Sequence, residues 1–241
     1  KIRYVGIADE IDIPKSARVI DVKGQVIIPG LVDTHSHIGV WSRPAVPANI
    51  DGNEGSGPVQ SSLRALDAIN PRDPGIRMAV AGGVTTANIM PGSANVIGGQ
   101  TLYVKLRGRT VEQMRIHGPV LGGLKMANGE NPKRWNYETR NFPPSTRMKL
   151  TALQREQFVK AREDLKKGKK ERNRELEPLI QGLQRKRPVH FHSHRADDLM
   201  TAIRLSKEFN FELVLQHATE GYLIPEQLVK NKIPVSLTLL D

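Results

Sequence analysis

The apolar positions of this chain fall into short runs of two kinds. Over residues 1–23 they alternate briefly with polar ones, R-Y-V-G-I and then A-R-V-I-D-V, which predicts short strands joined by turns. Residues 26–32 form a continuous apolar run with a bend at Pro29-Gly30, the pattern of a buried strand. Residues 39–73 lose the pattern and are rich in Pro, Gly, Asn and Ser. They predict a long loop with a short helix over 61–69, and loops of this length tend to be functional. Helical spacing returns over 73–81 and stops at Gly82-Gly83.

Beyond that point strands and helices tend to alternate. Strands are predicted over 84–90, 101–106, 120–127, 188–192, 212–216 and 234–239. Helical stretches are predicted from 111 to 114, over 150–184 with breaks at Gly168 and Pro178, over 197–209 and over 225–231; residues 139–146 read as a second loop. This rhythm argues for parallel β-α units rather than a sandwich, hence an α/β fold.

The histidines add chemistry to the pattern. Six of the seven stand at three predicted strand ends: His35 and His37, then His190, His192 and His194, then His217. Residues i and i+2 of a strand face the same side, so His35 and His37 can reach one point in space. Neutral imidazole is the commonest side-chain metal ligand, and three such clusters point to a metal centre. Within H-F-H-S-H, His192 is expected where the strand finishes, His190 deeper, and His194 in the loop, where it would orient substrate. His117 lies apart, ahead of G-P-V, and reads as structural.

Composition narrows the ligand types. The chain has 241 residues and no cysteine, so thiolates are excluded as ligands or nucleophiles and disulfides do not occur. No apolar run is long enough to span a bilayer. The net charge is +11, and residues 149–187 hold 13 Lys and Arg against 6 Asp and Glu. Without aromatic interleaving or a nucleic-acid motif, that stretch reads as a solvated helical face, and nucleic acid is not expected as a partner. No charged-apolar-small leader is visible at the first residues, so a cytoplasmic protein is expected, subject to any segment upstream.

The motifs together resemble the amidohydrolase superfamily. V-I-I-P-G-L-V-D-T-H-S-H (26–37) is similar to its first barrel strand. A-G-G-V-T-T (81–86), P-G-S-A-N-V-I-G-G-Q (91–100), G-L-K-M-A-N-G-E-N-P-K-R (123–134), S-T-R-M (145–148), H-F-H-S-H-R-A-D-D (190–198) and L-Q-H-A-T-E-G-Y (215–222) resemble its imidazolonepropionase-like branch of metal-dependent hydrolases. The resemblance implies a TIM-like (β/α) barrel over residues 29–241, with residues 1–28 forming part of a small β-sandwich. It implies one or two divalent metals, commonly Zn2+, held by His35 and His37, by His192 and by His217. A bridging ligand would be a carboxylated Lys125, implying two metals, or Glu130. His194 or His217 would stabilise the oxyanion as a C–N bond of a small-molecule substrate is hydrolysed by metal-activated water. The loop 39–73, with Asn53-Glu54, would line the substrate pocket. A homo-oligomer is compatible with this reading.

One feature departs from the family pattern. The family's base is an Asp at the end of strand eight, whereas by order the strand over 234–239 is the seventh, so Asp241 is not that residue. The chain is therefore expected to be a fragment of a longer enzyme, with strands one to about seven of an incomplete barrel. The alternative is a non-catalytic relative of the same barrel with a structural or binding role.

Overall fold

A computed structural model of the chain describes all residues except 1, 8–9, 136–137, 139–140, 169–170 and 238–241. The fold is α/β. Its strands are β1 (Leu31–Ser36), β2 (Val84–Ile89), β3 (Ile97–Gln100), β4 (Leu102–Lys105), β5 (Leu124–Ala127), β6 (Val189–Ser193), β7 (Leu213–His217) and β8 (Val235–Leu237). They form a three-stranded sheet, β1-β2-β4, and a five-stranded sheet, β3-β5-β6-β7-β8. From β5 to β8 every pairing is parallel, as is β1 with β2. The β-α rhythm breaks only between β2 and β5, where β4 runs antiparallel to β2 and β3 antiparallel to β5.

The two sheets meet at both ends. Tyr103 and Thr101 on the β4 side donate backbone hydrogen bonds to Leu121 and Gly123, just ahead of β5. On the other side the hydroxyls of Thr34 on β1 and Ser236 on β8 lie 2.6 Å apart.

Helices cover the outer faces. They are α1 (Pro74–Ala81), α2 (Val111–Met114), α3 (Glu130–Arg134), α4 (Arg147–Leu165), α5 (Glu177–Leu183), α6 (Ala196–Phe209) and α7 (Pro225–Lys230). Local chemistry explains their ends. Asp73 caps α1 by accepting from the Gly75 amide, and Thr146 caps α4 by accepting from Lys149. Pro178 does not break the predicted helical stretch; it sits in the first turn of α5, where a missing N–H costs nothing. Asn210 ends α6 in the left-handed conformation.

The larger core lies between the five-stranded sheet and α4–α6. There Phe158 stacks on Phe209 and Phe211, with ring centroids 5.1 and 4.8 Å apart, over Phe191, Leu124 and Leu215. A smaller core under the three-stranded sheet gathers Ile76, Ile89, Leu102, Val104 and Met114.

Three sequence expectations need correction. The first buried strand spans Leu31–Ser36, not 26–32, because its ladder with β2 begins only at Leu31, beyond Pro29-Gly30. Among the described residues before it no strand forms, so the strands expected there for a β-sandwich are not seen, and Val26, Ile27 and Ile28 stand exposed. The short helix over 61–69 is a single 3-10 turn, Ala65–Asp67. The sequence reading also missed β3, whose Gly98-Gly99 disguises a strand.

Candidate metal centre

Three strands carry the histidines to one place. β1 ends at Ser36 and delivers His35 and His37; β6 delivers His192 and, just beyond, His194; β7 ends at His217. The register sets Ser193 beside His217 and His192 beside Gln216. The rings form a continuous contact chain. Centroid separations are 5.0 Å for His35–His37, 4.6 Å for His35–His217, 4.5 Å for His192–His217 and 4.8 Å for His194–His217. His192, His194 and His217 each present a ligand atom within 4.8 Å of the others, so this group can hold a metal ion.

The side chains around the rings decide which nitrogens are free. His37 Nδ1 lies 2.8 Å from the Met90 carbonyl, which can only accept, so that nitrogen carries the proton. His35 Nδ1 lies 2.8 Å from Gln216 Oε1, again an acceptor. The remaining nitrogens, His35 Nε2 and His37 Nε2, are therefore bare and face each other at 3.3 Å. Two lone pairs at that distance repel unless a cation lies between or beside them, so the donor set fits a metal. His192 Nδ1 pairs with Ser93 Oγ at 2.8 Å, and His194 Nδ1 with Thr219 Oγ1 at 2.8 Å.

Electrostatics agree with neutral ligands. Burial, and then the Lys125 ammonium, push His35 down to about 2, His37 to about 4 and His217 to about 3; the same causes hold His192 well below the usual range. Metal ligation needs unprotonated imidazole, so a proton is a weak competitor here.

The backbone turns left-handed at the same place. His217 and Ala218 adopt positive φ of 69° and 48°. Successive strand residues alternate sides, yet Gln216 and His217 both reach His35. The left-handed turn at His217 breaks the alternation and brings both inward.

The two candidates for a bridging ligand separate clearly. Lys125 on β5 is fully buried, its Nζ donating to the Pro91 carbonyl at 3.2 Å and lying 3.4 Å from Met90 Sδ. Burial pushes its amine down to about 7. Glu130, at the start of α3, is exposed and ion-paired with Arg147, which also holds Asp198 at 3.0 Å. Among the described residues no carboxylate joins the histidine group. Asp241 and the end of the 234–239 strand lie outside the described residues.

Other expectations are placed as follows. His190 is buried below the cluster, and His117 is exposed and apart. The 39–73 loop is tied to the site. Asp73 accepts from the Gly39 and Arg43 amides, Asn53 Oδ1 accepts from Ala94, and Asn95 Nδ2 donates to the Glu54 and Gly57 carbonyls. Asn53 lines a cavity of about 370 Å³ with Trp41, Ser93, Asn131, Arg134 and Trp135. That cavity adjoins the cluster, since Trp41 lies 4.5 Å from the His37 ring and Ser93 pairs with His192. Sequence reasoning missed Gln216, Ser93 and Thr219. The only signal for Gln216 was an amide inside an otherwise apolar strand, next to a ligand.

No family model matches the chain. It is 31% identical over 244 residues to a protein named amidohydrolase tasK from Hapsidospora irregularis, an alignment spanning 90% of this chain and 25% of that one. A crystal structure of an amidohydrolase from Thermotoga maritima MSB8 superposes with a TM-score of 0.83 at 41% identity, over 92% of this chain and 62% of that one. The chain thus spans about a quarter of the first relative and under two thirds of the second. In sequence and in fold, it is similar to proteins named amidohydrolases.

Proposed function

We propose that the chain carries the metal centre of a metal-dependent hydrolase acting on a C–N bond of a small-molecule substrate, within a TIM-like barrel of the amidohydrolase superfamily and its imidazolonepropionase-like branch. The observation that carries this reading is the pair of bare Nε2 atoms of His35 and His37, 3.3 Å apart, each with its Nδ1 proton held by an acceptor. His35, His37, His192 and His217 would hold one or two divalent ions, for which zinc suits a set rich in imidazole. When bound, the metal supplies a Lewis acid and lowers the pKa of water.

Lys125 is favoured over Glu130 as the bridging group. A buried amine whose pKa is lowered to about 7 has a substantial neutral fraction at neutral pH, and that form can add CO2, forming an N–C bond and releasing one proton, to become a carbamate. Glu130 is committed to Arg147 at the surface. His194, with Nδ1 accepting from the Thr219 hydroxyl, would present Nε2–H to a developing oxyanion at the cavity wall. Trp41 and Asn53 would line the substrate's side of the site.

Metal analysis of the purified chain, followed by a hydrolysis screen over amides, cyclic amides and dipeptides, tests this. Stoichiometric zinc with release of amine or ammonia is expected; absence of bound metal after zinc loading refutes it. A second reading, a non-catalytic metal-binding barrel, draws on the lack of a carboxylate in the histidine group among the described residues. Zinc binding without turnover of any amide would favour it.

A further inference from the structure

Gln216 is fully buried on β7, and its amide spans two imidazoles. Oε1 lies 2.8 Å from His35 Nδ1, and Nε2 lies 2.9 Å from His190 Nδ1. A primary amide has one accepting end and one donating end, so the two rings it bridges must present opposite partners. In the arrangement seen, Nε2 donates to His190 Nδ1, so the His190 proton sits on its Nε2. There the Tyr103 hydroxyl oxygen stands 3.4 Å away as an acceptor. Asn88 Nδ2 also lies 3.4 Å from that nitrogen, while Asn88 Oδ1 is buried without a hydrogen bond. Exchanging the two ends of the Asn88 amide would set that oxygen against His190 Nε2–H, at the cost of the 3.3 Å bond that Nδ2 now donates to the Thr34 carbonyl.

Turned end for end, Gln216 would donate to His35 Nδ1 and accept from His190. The His35 proton would then move to Nε2 and point at His37, and that nitrogen could no longer ligate. The two settings therefore differ in whether His35 offers a lone pair at the cluster. A hydrophobic residue at position 190 would leave nothing to hold the amide nitrogen on its far side.

We propose that His190 is a positioning residue of the metal centre: through Gln216 it holds His35 in the Nδ1–H tautomer that offers Nε2 to the cation. This rests on the reading of His35 as a ligand. Because such coupling is reciprocal, metal at His35 in turn selects the Nε2–H tautomer of His190, which is itself not a ligand.

The test uses the full chain loaded with zinc. Long-range 15N–1H spectra of the imidazoles should show His190 protonated on Nε2. Zinc affinity, measured by chelator competition, should fall about ten- to hundredfold in His190→Leu, the usual range for losing an outer partner of a ligating histidine. His190→Asn, whose Oδ1 can stand in for Nδ1, should recover most of that loss. Gln216→Glu accepts at both oxygens, so in that background His190→Leu should change zinc affinity less than threefold. Unchanged affinity in His190→Leu overturns the inference, as does an equal loss in the Gln216→Glu background, or a zinc-loaded His190 protonated on Nδ1. Should the Leu variant not fold, the spectrum of the unsubstituted chain decides. If the unsubstituted chain takes up no zinc, the metal reading itself falls; normal uptake with any of the contrary results overturns this inference alone.

Discussion

Two stretches of this chain share one sequence signature and meet opposite fates. Residues 26–28 read V-I-I, and residues 213–215 read L-V-L; both precede a histidine motif. On β7 the backbone is paired on both sides, by β6 and β8, and Leu215 is fully buried. Val26 is 88% exposed, with no neighbouring strand among the described residues. An extended run becomes a strand only when another backbone accepts its hydrogen bonds, and its side chains gain from burial only when a second layer covers them. Apolar pattern is thus a request for partners, which the tertiary structure grants to one segment and not to the other.

The largest expected effect lies at the granted end. His192→Ala and His217→Ala should each abolish stoichiometric zinc binding in metal analysis, while a substitution in 26–28 leaves it intact; retained zinc in both variants would break the contrast. Next is Lys125→Met. It should raise the stability of the metal-free fold in urea unfolding by on the order of 1 kcal/mol, because it removes a buried amine that has no anionic partner among the described residues. A lowered midpoint would show the amine to be structural.

Packing sharpens the comparison further. Phe191→Ala should cost about 3–5 kcal/mol in urea unfolding, whereas Ile27→Ala should stay within about 0.5 kcal/mol. Similar costs at both sites would mean that residues 26–28 are covered in solution.

A pH dependence gives a further check. His37 and His190 are pushed from 6.5 to about 4, and His217 to about 3, chiefly by burial. Between these values and 6.5 the unfolded chain binds more protons than the folded one, so stability rises with pH across that window. The metal-free fold should therefore hold its full histidine contribution above pH 6.5 and lose it as pH falls toward 4. Urea midpoints at pH 7, 5 and 4 measure this, and a flat profile would show solvated rings. Lys125, lowered from 10.5 to about 7, has the same sign in a higher window: stability should rise from pH 7 toward 10.

Much of the site was legible because metal ligation demands particular residue types at strand ends. H-x-H at 35–37, H-F-H-S-H at 190–194 and the lone His217 announced themselves, and all but His190 converge. The choice between Lys125 and Glu130 was not legible. They are five residues apart in one motif, and only the end of β5 separates a buried amine from a surface carboxylate paired with Arg147. Gln216 was silent because an amide's role depends on what stands at each of its ends, and those partners come from β1 and β6, far away in sequence. β3 was hidden because Gly98-Gly99 carry no side chains to show a strand's alternation.

By itself the sequence determined the α/β rhythm and the supply of imidazoles, since these depend on local periodicity and residue chemistry. Only the tertiary structure decided which apolar runs found partner strands, which nitrogens of His35 and His37 were left bare, and which of two candidate bridging groups was stripped of water. Those outcomes depend on contacts between residues distant along the chain, and hydrogen-bond direction and desolvation exist only once those contacts are made.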